Sequence, residues 1–231
     1  MPTTPVLLLP FPSDTDPADV PADMNDLATR IEAVRGIPNG LAALDGNGQL
    51  PAAQAGPAAL VTVLPASPTD GQEVILTDSV SVPTYMWRLR WNQTDGRWGY
   101  VGGFPARQLV ATSETTTTIG SYVNLTTVGP RVTVAKQGDY MARFGCTVID
   151  GAADSQVNIG VGIGDFAAGA VLADARGHIS AANYHQTIVG EAFLTAVAAG
   201  AEIRCKYQHA LASTLTVLNR YLYVTPSRLY P

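Results

Sequence analysis

Apolar and polar residues alternate in short stretches over the second half of the chain, and turn residues separate the stretches. Alternation of this kind places every second side chain on one face of a β-strand. The pattern predicts strands at 119–128, 131–134, 138–149, 156–163, 188–197, 201–208 and 215–224. Many short strands at this spacing indicate an all-β domain, a sandwich or jelly roll, over residues 106–231.

The third and sixth of these predicted strands each have one clearly apolar face. In the third strand this face carries Tyr140, Ala142, Phe144, Cys146 and Val148, and in the sixth it carries Ile203, Cys205 and Tyr207. Two cysteines are too few for a disulfide framework. Because both have apolar neighbours, we predict that they are buried and act as small hydrophobic residues.

A second group of strand-like segments lies between residues 58 and 105. Strands are predicted at 61–64, 73–77, 85–91 and 98–101, with turns at Asp70-Gly71 and Asp95-Gly96. This small β module is too short to be a robust domain alone. Its aromatic side chains can form its core or stack on sugar rings, and the small size of the module favours the core. They are Tyr85, Trp87, Trp91, Trp98 and Tyr100.

The chain has one clear helical pattern, predicted to span residues 22–35. Apolar residues recur there at spacings of 4, 3, 4 and 3, which is the spacing of a coiled-coil seam. They are Val20, Met24, Leu27, Ile31 and Val34. The same spacing fits an amphipathic helix that packs on its own domain. Both interpretations remain open at this point.

The segments on either side of this helix are rich in proline and in turn residues. Six prolines within residues 1–22 exclude a helix and predict an extended arm. The arm carries an apolar group that we expect to dock on a partner protein or on its own chain. This group is Val6, Leu7, Leu8, Leu9 and Phe11. Residues 36–57 have repeated Asn-Gly and Asp-Gly turns and predict a linker, so residues 1–57 form an N-terminal region without a core of their own.

The composition limits the possible partners. Hydrophobic residues make up 46% of the chain and charged residues only 14%, against about 25% charged in typical soluble domains. So few charges indicate that much apolar surface is hidden in a core or a subunit interface. The net charge of −5 makes nucleic acid an unfavourable partner. No segment is long enough to span a bilayer and none has the features of a signal peptide, so we expect no membrane insertion and assembly in a cytoplasm.

Motifs that carry catalysis or bind cofactors are not found. The chain has no Gly-x-Ser-x-Gly and no His-Glu-x-x-His. The glycine-rich run from Gly160 to Asp165 lacks the lysine and the helix of a phosphate loop, and is better explained as a strand of small residues packed against another backbone. His178, His185 and His209 lie on separate segments, as do Asp150, Asp154, Asp165 and Asp174. We therefore predict no catalytic residue, no metal site and no cofactor.

Four residues of the C-terminal region are predicted to form an exposed tip that contacts a receptor. They are Tyr184, His185, Tyr207 and His209.

Several segments, in one order along the chain, resemble parts of bacteriophage tail proteins. Residues 14–28 resemble the N-terminal segment of many tail proteins, residues 40–54 resemble a linker common in tail fibres, and residues 64–103 resemble a small β module of phage structural proteins. Residues 106–231 are similar to the jelly rolls of the tumour-necrosis-factor and complement type. The features that match are Gly138-Asp-Tyr, Ala198-Ala-Gly-Ala-Glu-Ile and Asn219-Arg-Tyr-Leu-Tyr-Val-Thr-Pro.

The resemblance implies a non-enzymatic virion protein, a homotrimeric tail-fibre or receptor-binding subunit. Residues 1–57 are expected to anchor the protein to the virion, with the apolar group at residues 6–11 as the anchor. The expected partners are two further copies of the chain, a tail, baseplate or capsid protein, and a glycan or protein on the host surface. Three other functions are kept as alternatives, one of them a bacterial adhesin or the fibre of a contractile injection system. The other two also concern phage particles. One is a head fibre or decoration protein on the capsid, and the other is a small glycan-degrading tail enzyme.

Overall fold

The computed structural model describes residues 20–33, 58–166 and 171–231. The chain separates into two compact units, Met1–Pro57 and Ala58–Pro231, each of which is described by itself. The described part of the first unit is helix α1, Val20–Ala33. The predicted helix is confirmed, with its start and its end two residues earlier than expected. Pro21 stands in its first turn, where the missing amide hydrogen interrupts no intrahelical bond.

Helix α1 exposes the three residues of the predicted coiled-coil seam whose side chains are described. Met24, Leu27 and Ile31 are all exposed, with Met24 the most exposed at 65%. The side chain of Thr29 donates a hydrogen bond to the carbonyl of Asn25, as is usual for a threonine within a helix. Val34 and the apolar group at residues 6–11 lie outside the described residues, so the anchor remains a prediction. None of the described helices is long and apolar enough to cross a membrane.

The second unit is built from β-strands. Strands β1 to β6 are Ala59–Val61, Glu73–Thr77, Met86–Asn92, Arg97–Phe104, Ala106–Val110 and Glu114–Thr116. Strands β7 to β13 are Arg131–Thr133, Gly138–Asp150, Ser155–Ile163, Ala173–Ile179, His185–Val197, Glu202–His209 and Leu215–Leu229.

These strands form two sheets. The first sheet has the order β1-β2-β3-β4-β13-β8-β11, and β5 and β6 also pair with β13. The second sheet has the order β10-β9-β12-β7. From β7 to β13 the chain passes repeatedly between the two sheets, and β12 and β13 return between strands that were laid down earlier. This is the strand order of a jelly-roll β-sandwich, which confirms the predicted fold class.

The core lies between the two sheets. On β8, Tyr140, Ala142, Phe144, Cys146 and Val148 all point inward and are buried, as their alternation predicted. They face the inner side chains of the second sheet: Val157, Ile159, Val161, Ile203, Cys205 and Tyr207. Both cysteines are free and buried. Burial raises the pKa of the Cys146 thiol to about 12, so it remains a neutral, unreactive thiol at physiological pH.

Strands β1 to β4 extend the first sheet through β13. Gly99 and Trp98 of β4 pair with Arg228 and Leu229 near the end of the chain. The tryptophans of these strands point inward, as the core interpretation predicted, and the ring of Trp87 lies 6.1 Å from that of Tyr140. Tyr85, Trp87, Trp91 and Trp98 are all buried, so they are not available to stack on sugar rings. The predicted boundary at residue 105 falls between two strands of this one sheet.

One predicted strand is wrong and three strands were not predicted. The strand predicted at 61–64 is also displaced, since it shares only Val61 with β1. Residues 119–128 form no continuous strand, since Ile119 and Val123 contact β12 only through isolated bridges to His209 and Tyr207. β12 pairs with β9 along one edge. Residues 119–128 run past the opposite edge of β12 as a loop. Strands β5, β6 and β10 were missed because their alternation is interrupted or their residues favour strands only weakly.

A buried arginine holds the segment between β6 and β7 in place. Arg220 of β13 is 1% exposed, and its guanidinium donates hydrogen bonds to the carbonyls of Thr112, Thr127 and Gly129. The carboxylate of Glu114 lies 3.3 Å from it. A buried cation is tolerated when it is paired, and here both terminal nitrogens of the guanidinium have hydrogen-bond acceptors, while Nε has no partner within the described residues.

Candidate self-association surface

The outer face of the first sheet is apolar over four of its strands. Register places Leu109 of β5, Tyr221 of β13, Gly145 of β8 and Val189 of β11 in one row across the sheet. The row on one side contains Arg107, Tyr223, Arg143 and Glu191, and the row beyond it contains Thr225, Met141 and Phe193. We call this surface, formed by the outward side chains of β5, β8, β11 and β13, the open face.

The apolar side chains of the open face are accessible to solvent. Val189 is 62% exposed, Leu109 58% and Phe193 50%. Tyr221 and Tyr223 lie beside each other, with ring centroids 5.4 Å apart. Single exposed apolar residues are common on protein surfaces, whereas a contiguous group usually marks an interaction site.

A glycine makes the centre of the open face flat. A Cβ atom at Gly145 would lie 2.6 Å from the hydroxyl oxygen of Tyr221. The absence of a side chain therefore lets the Tyr221 ring lie down on β8 instead of standing away from the sheet. A flat aromatic surface offers a large contact area to a partner at low cost in conformational entropy.

Three of the eleven residues in these rows are ionic, and two of them neutralise each other. Arg143 and Glu191 stand opposite each other on β8 and β11, with 2.5 Å between Nε and Oε1. Both side chains are more than half exposed, so the pair contributes little to the stability of the single chain. Arg107 is the remaining ionic residue of the three rows given above.

The outer face of the second sheet, here called the closed face, has the opposite character. Arg204, Lys206 and Gln208 of β12 point outward, next to Asn158 and two glycines of β9. A Cβ at Gly160 would lie 2.6 Å from the ring of Tyr122, and one at Gly162 would lie 2.4 Å from the ring of Phe166. The glycine-rich run therefore makes room for two aromatic rings of the same chain, and not for another backbone as the sequence had suggested.

Ionic groups hold these rings over the closed face. The ammonium of Lys206 lies 5.0 Å from the centroid of the Phe166 ring and 2.8 Å from the carboxylate of Asp165. Asn124 also donates to Asp165, and these contacts keep the pKa of that carboxyl below its ordinary value. On the other ring, burial together with the Asp174 carboxylate raises the pKa of the Tyr122 hydroxyl to about 12.

The predicted receptor residues lie around one end of the sandwich, and only two of the four are exposed. Tyr184 is 60% exposed and His185 at the start of β11 is also exposed. The prediction that Tyr207 and His209 are exposed is wrong, since they are 1% and 0% exposed. Strand alternation turns both side chains inward, between the two sheets. The Tyr207 hydroxyl donates to the carbonyl of Gly129.

A buried carboxylate organises this end. The carboxylate of Asp150, the last residue of β8, accepts hydrogen bonds from the hydroxyls of Ser155 and Ser213 and from the amide of Ala152. Its backbone carbonyl accepts from the amide of Asn183. Burial by itself would raise the pKa of Asp150, but these hydrogen bonds outweigh it and keep the pKa below its ordinary value. Asp150 thereby joins three loops.

Serine, histidine and aspartate meet here without the geometry of a nucleophilic triad. Nδ1 of His209 lies 3.5 Å from Oδ2 of Asp150, and within the described residues neither ring nitrogen has a hydrogen-bond partner. Both serines donate to the aspartate, whereas a catalytic serine would donate to the histidine. No group of three or more potential metal ligands occurs in residues 20–33, 58–166 and 171–231. The arrangement stabilises loops.

Sequence reasoning missed the open face. The signal was present in β11, where Val189 and Phe193 alternate with the inward Ile188, Ala192 and Leu194. Such a strand is apolar on both faces, and one of them must therefore face solvent or a partner. The size of the apolar area depends on which strands lie beside β11. Those neighbours are set by pairings between segments far apart in sequence.

Comparisons with known proteins found no matching family model and no matching curated protein. Among solved structures, the chain is similar to Eiger TNF from S. frugiperda, with a TM-score of 0.31 and 8% identity over 51% of this chain and 92% of that one. For murine APRIL the TM-score is 0.29, with 10% identity over 49% of this chain and 97% of that one. For BiXyn10A CBM1 in its apo form the TM-score is 0.23, with 18% identity over 60% of this chain and 79% of that one.

Proposed function

We propose that the chain is a non-enzymatic structural subunit of a phage virion, of the tail-fibre type, that forms a homotrimer and attaches the virion to the host surface. The open face is the observation that carries this proposal. A surface that is flat, apolar and nearly without net charge is suited to burial against further copies of the same chain. The order of tail-protein motifs along the sequence supports the virion setting.

Burial of the open face would stabilise an assembly substantially. Each large apolar side chain that becomes fully buried contributes on the order of 1.5–3 kcal/mol. Leu109, Val189 and Phe193 retain half or more of their exposure in the single chain, so most of that contribution is still available. Several such residues are needed, because association itself costs roughly 4–15 kcal/mol in lost freedom of motion.

The helix of the first unit supplies a second apolar surface. Met24, Leu27 and Ile31 keep the coiled-coil spacing and are exposed in the single chain. An isolated helix of 14 residues is marginally stable in water, so α1 gains stability when its seam is covered. Three identical chains would cover it along a common axis. Three copies would also present three receptor sites at once, which raises avidity without strong single contacts.

Measurement of the mass in solution tests the self-association. Light scattering on the full-length protein is expected to give three times 24.2 kDa. Val189→Asp places a carboxylate in the open face and should raise the concentration at which the trimer dissociates at least tenfold, because the charge would be desolvated on assembly. Val82→Asp is the matched control, since Val82 is 74% exposed in the loop between β2 and β3. A wild-type monomer or dimer, or an equal effect of both variants, would contradict the proposal.

The virion setting has its own test. An antibody against residues 106–231 is expected to label the tails of intact virions that contain this chain. Label on the capsid alone would instead favour the head-fibre alternative, and unlabelled virions that nevertheless adsorb to host cells would contradict an attachment role.

A further inference from the structure

Four arginines gather on the outer face of the first sheet, away from the open face. Arg88 and Arg90 lie on β3, Arg97 lies on β4 and Arg228 lies near the end of β13. On β3 they alternate with the buried Trp87, Leu89 and Trp91, so strand geometry directs the arginines outward. We call the surface between them, over β4, the arginine channel.

Register places a glycine between the two walls of the channel. Gly99 of β4 pairs with Arg90 on one side and with Arg228 on the other. Further along β4, Gly102 pairs with Arg88. A Cβ atom at Gly99 would have only the carbonyl oxygen of Arg90 near it, at 3.8 Å, and one at Gly102 would have no atom within 4 Å. The space above β4 is therefore not filled by side chains of the described residues.

Neighbouring side chains hold three of the four arginines in place. Arg88 forms an ion pair with Glu73 on β2, with 2.6 Å between Nη2 and Oε2, and Arg228 forms one with Asp139 on β8 at 3.0 Å. The guanidinium of Arg97 lies over the ring of Tyr230, 4.4 Å from its centroid. The side chains of Arg88 and Arg228 remain 56% and 47% exposed beside the channel, so they can still donate to a ligand.

The channel has an excess of positive charge on an acidic protein. Four guanidiniums are accompanied by two paired carboxylates, Glu73 and Asp139. Within the described part of the chain, no carboxylate lies within 4 Å of the guanidinium of Arg90, whose terminal nitrogen lies near the backbone at Gly71. The whole chain carries 14 lysines and arginines and a net charge of −5. The local charge therefore opposes the overall charge, which favours an anionic partner at this place and not elsewhere.

One end of the channel is apolar. Phe104 of β4 is 43% exposed and pairs with Met86 of β3 on the same outer face as Arg88. Val101 lies at a β-bulge in β4, where it has no partner on β3, and is 51% exposed. Sugar rings combine apolar faces, which pack on aromatic side chains, with polar edges, which accept hydrogen bonds.

We propose that the arginine channel binds an anionic glycan whose carboxylate or sulfate groups are held by the arginines and whose sugar ring packs on Phe104. Guanidinium groups recognise such planar or tetrahedral oxyanions through paired hydrogen bonds. The inference rests on the attachment function proposed above and names the class of ligand. The three rows of the open face given above contain none of the four arginines, so the two proposals can be tested with different substitutions.

Binding to defined polymers tests the channel. Titration calorimetry with polygalacturonate and with dextran sulfate distinguishes carboxylate from sulfate, and neutral dextran is the uncharged control. At least one of the two anionic polymers should bind, and Arg90→Gln should raise its Kd about tenfold or more, since a hydrogen bond to a charged group contributes about 1.5–3 kcal/mol. The Kd of Arg90→Lys should lie between those of the wild type and Arg90→Gln, because lysine retains the charge and loses the paired donors.

Two further variants separate a shaped site from simple charge attraction. Gly99→Val leaves every charge in place and fills the space above β4, so it should weaken binding as strongly as Arg90→Gln. Arg176→Gln removes an exposed arginine of the second sheet and should leave the Kd unchanged. Thermal unfolding checks that each variant is folded, and light scattering checks that its mass is that of the wild type.

The outcomes are distinct from those of the self-association test. Failure of both anionic polymers to bind a wild-type trimer would overturn the glycan proposal and leave the trimer intact. Equal weakening by Arg176→Gln would also overturn it, because charge anywhere on the surface would then suffice. Tighter binding of single-stranded poly(dT) than of either polysaccharide would identify the ligand as nucleic acid and contradict the glycan.

Discussion

The two outer faces of the jelly roll are built on the same plan and differ in what covers them. Each has glycine on a central strand with an aromatic ring resting on it. On the closed face, the rings of Tyr122 and Phe166 come from loops of the same chain and are tied down by ionic contacts. On the open face, the ring of Tyr221 comes from the neighbouring strand, and no described loop lies over it.

This difference shows how one strand pattern can give two kinds of surface. A ring contributed by a loop completes the protein's own packing, and Lys206 is only 6% exposed beneath it. A ring contributed by an adjacent strand leaves its outer side accessible, so the apolar area remains for a partner. If the comparison holds, substitutions on the closed face should change stability alone, whereas those on the open face should also change assembly.

The largest effect in this comparison is expected for Gly162→Ala on the closed face. The added methyl group would lie 2.4 Å from a carbon atom of the Phe166 ring, so the ring must move and its contact with Lys206 is weakened. Overpacking of this kind typically costs 1–3 kcal/mol, and we expect the free energy of unfolding to fall by about that amount. Urea denaturation followed by tryptophan fluorescence measures it.

Gly99→Ala is the control for this substitution. Its methyl group would have only a backbone oxygen at 3.8 Å, so the change in the free energy of unfolding should stay within about 0.5 kcal/mol. The molecular mass of both variants should equal that of the wild type. Loss of assembly in Gly162→Ala without loss of stability would show that the closed face is itself an interface.

The sequence predicted those features that depend on one strand at a time. The buried faces of β8 and β12 follow from strict alternation, and so does the inward direction of Trp87, Leu89 and Trp91. The same rule, properly applied, would have placed Tyr207 and His209 inside, since both share a face with Ile203 and Cys205. Their assignment to an exposed tip came from residue type and ignored the strand's period.

Features that depend on pairings between distant segments could not be predicted. Arg97 and Arg228 lie on the same outer face only because the end of β13 returns beside β4. The apolar area of the open face likewise depends on β5 pairing with β13 across more than 100 residues. Residues 119–128 have the composition of a strand, but they meet β12 only through two isolated bridges, so tertiary context overrides the local preference.

The smallest change in the free energy of unfolding is expected for Asp150→Asn, at the end of the sandwich where both sheets contribute. This change should depend on pH. Asp150→Asn keeps one oxygen that can accept from Ser213 and Ala152, and its NH2 group can donate to the Ser155 hydroxyl, but the charge that strengthens these hydrogen bonds is removed. Hydrogen bonds to charged groups contribute roughly 1 kcal/mol more than neutral ones, so the free energy of unfolding at pH 7 should fall by about that amount. Urea denaturation at a series of pH values measures it.

The sign of the pH dependence follows from the lowered pKa of Asp150 in the folded protein. As the pH falls through the ordinary value of 3.8, the unfolded chain takes up the proton first, and the advantage of the folded state is lost as the pH approaches the lower, folded pKa. The gap between wild type and Asp150→Asn should therefore be full above about pH 4 and should narrow below it. Asp154→Asn, in the same loop and 83% exposed at its side chain, should show no comparable gap. A gap that stays constant from pH 7 to the acid range would mean that shape, and not the charge of Asp150, holds the three loops to the ends of both sheets.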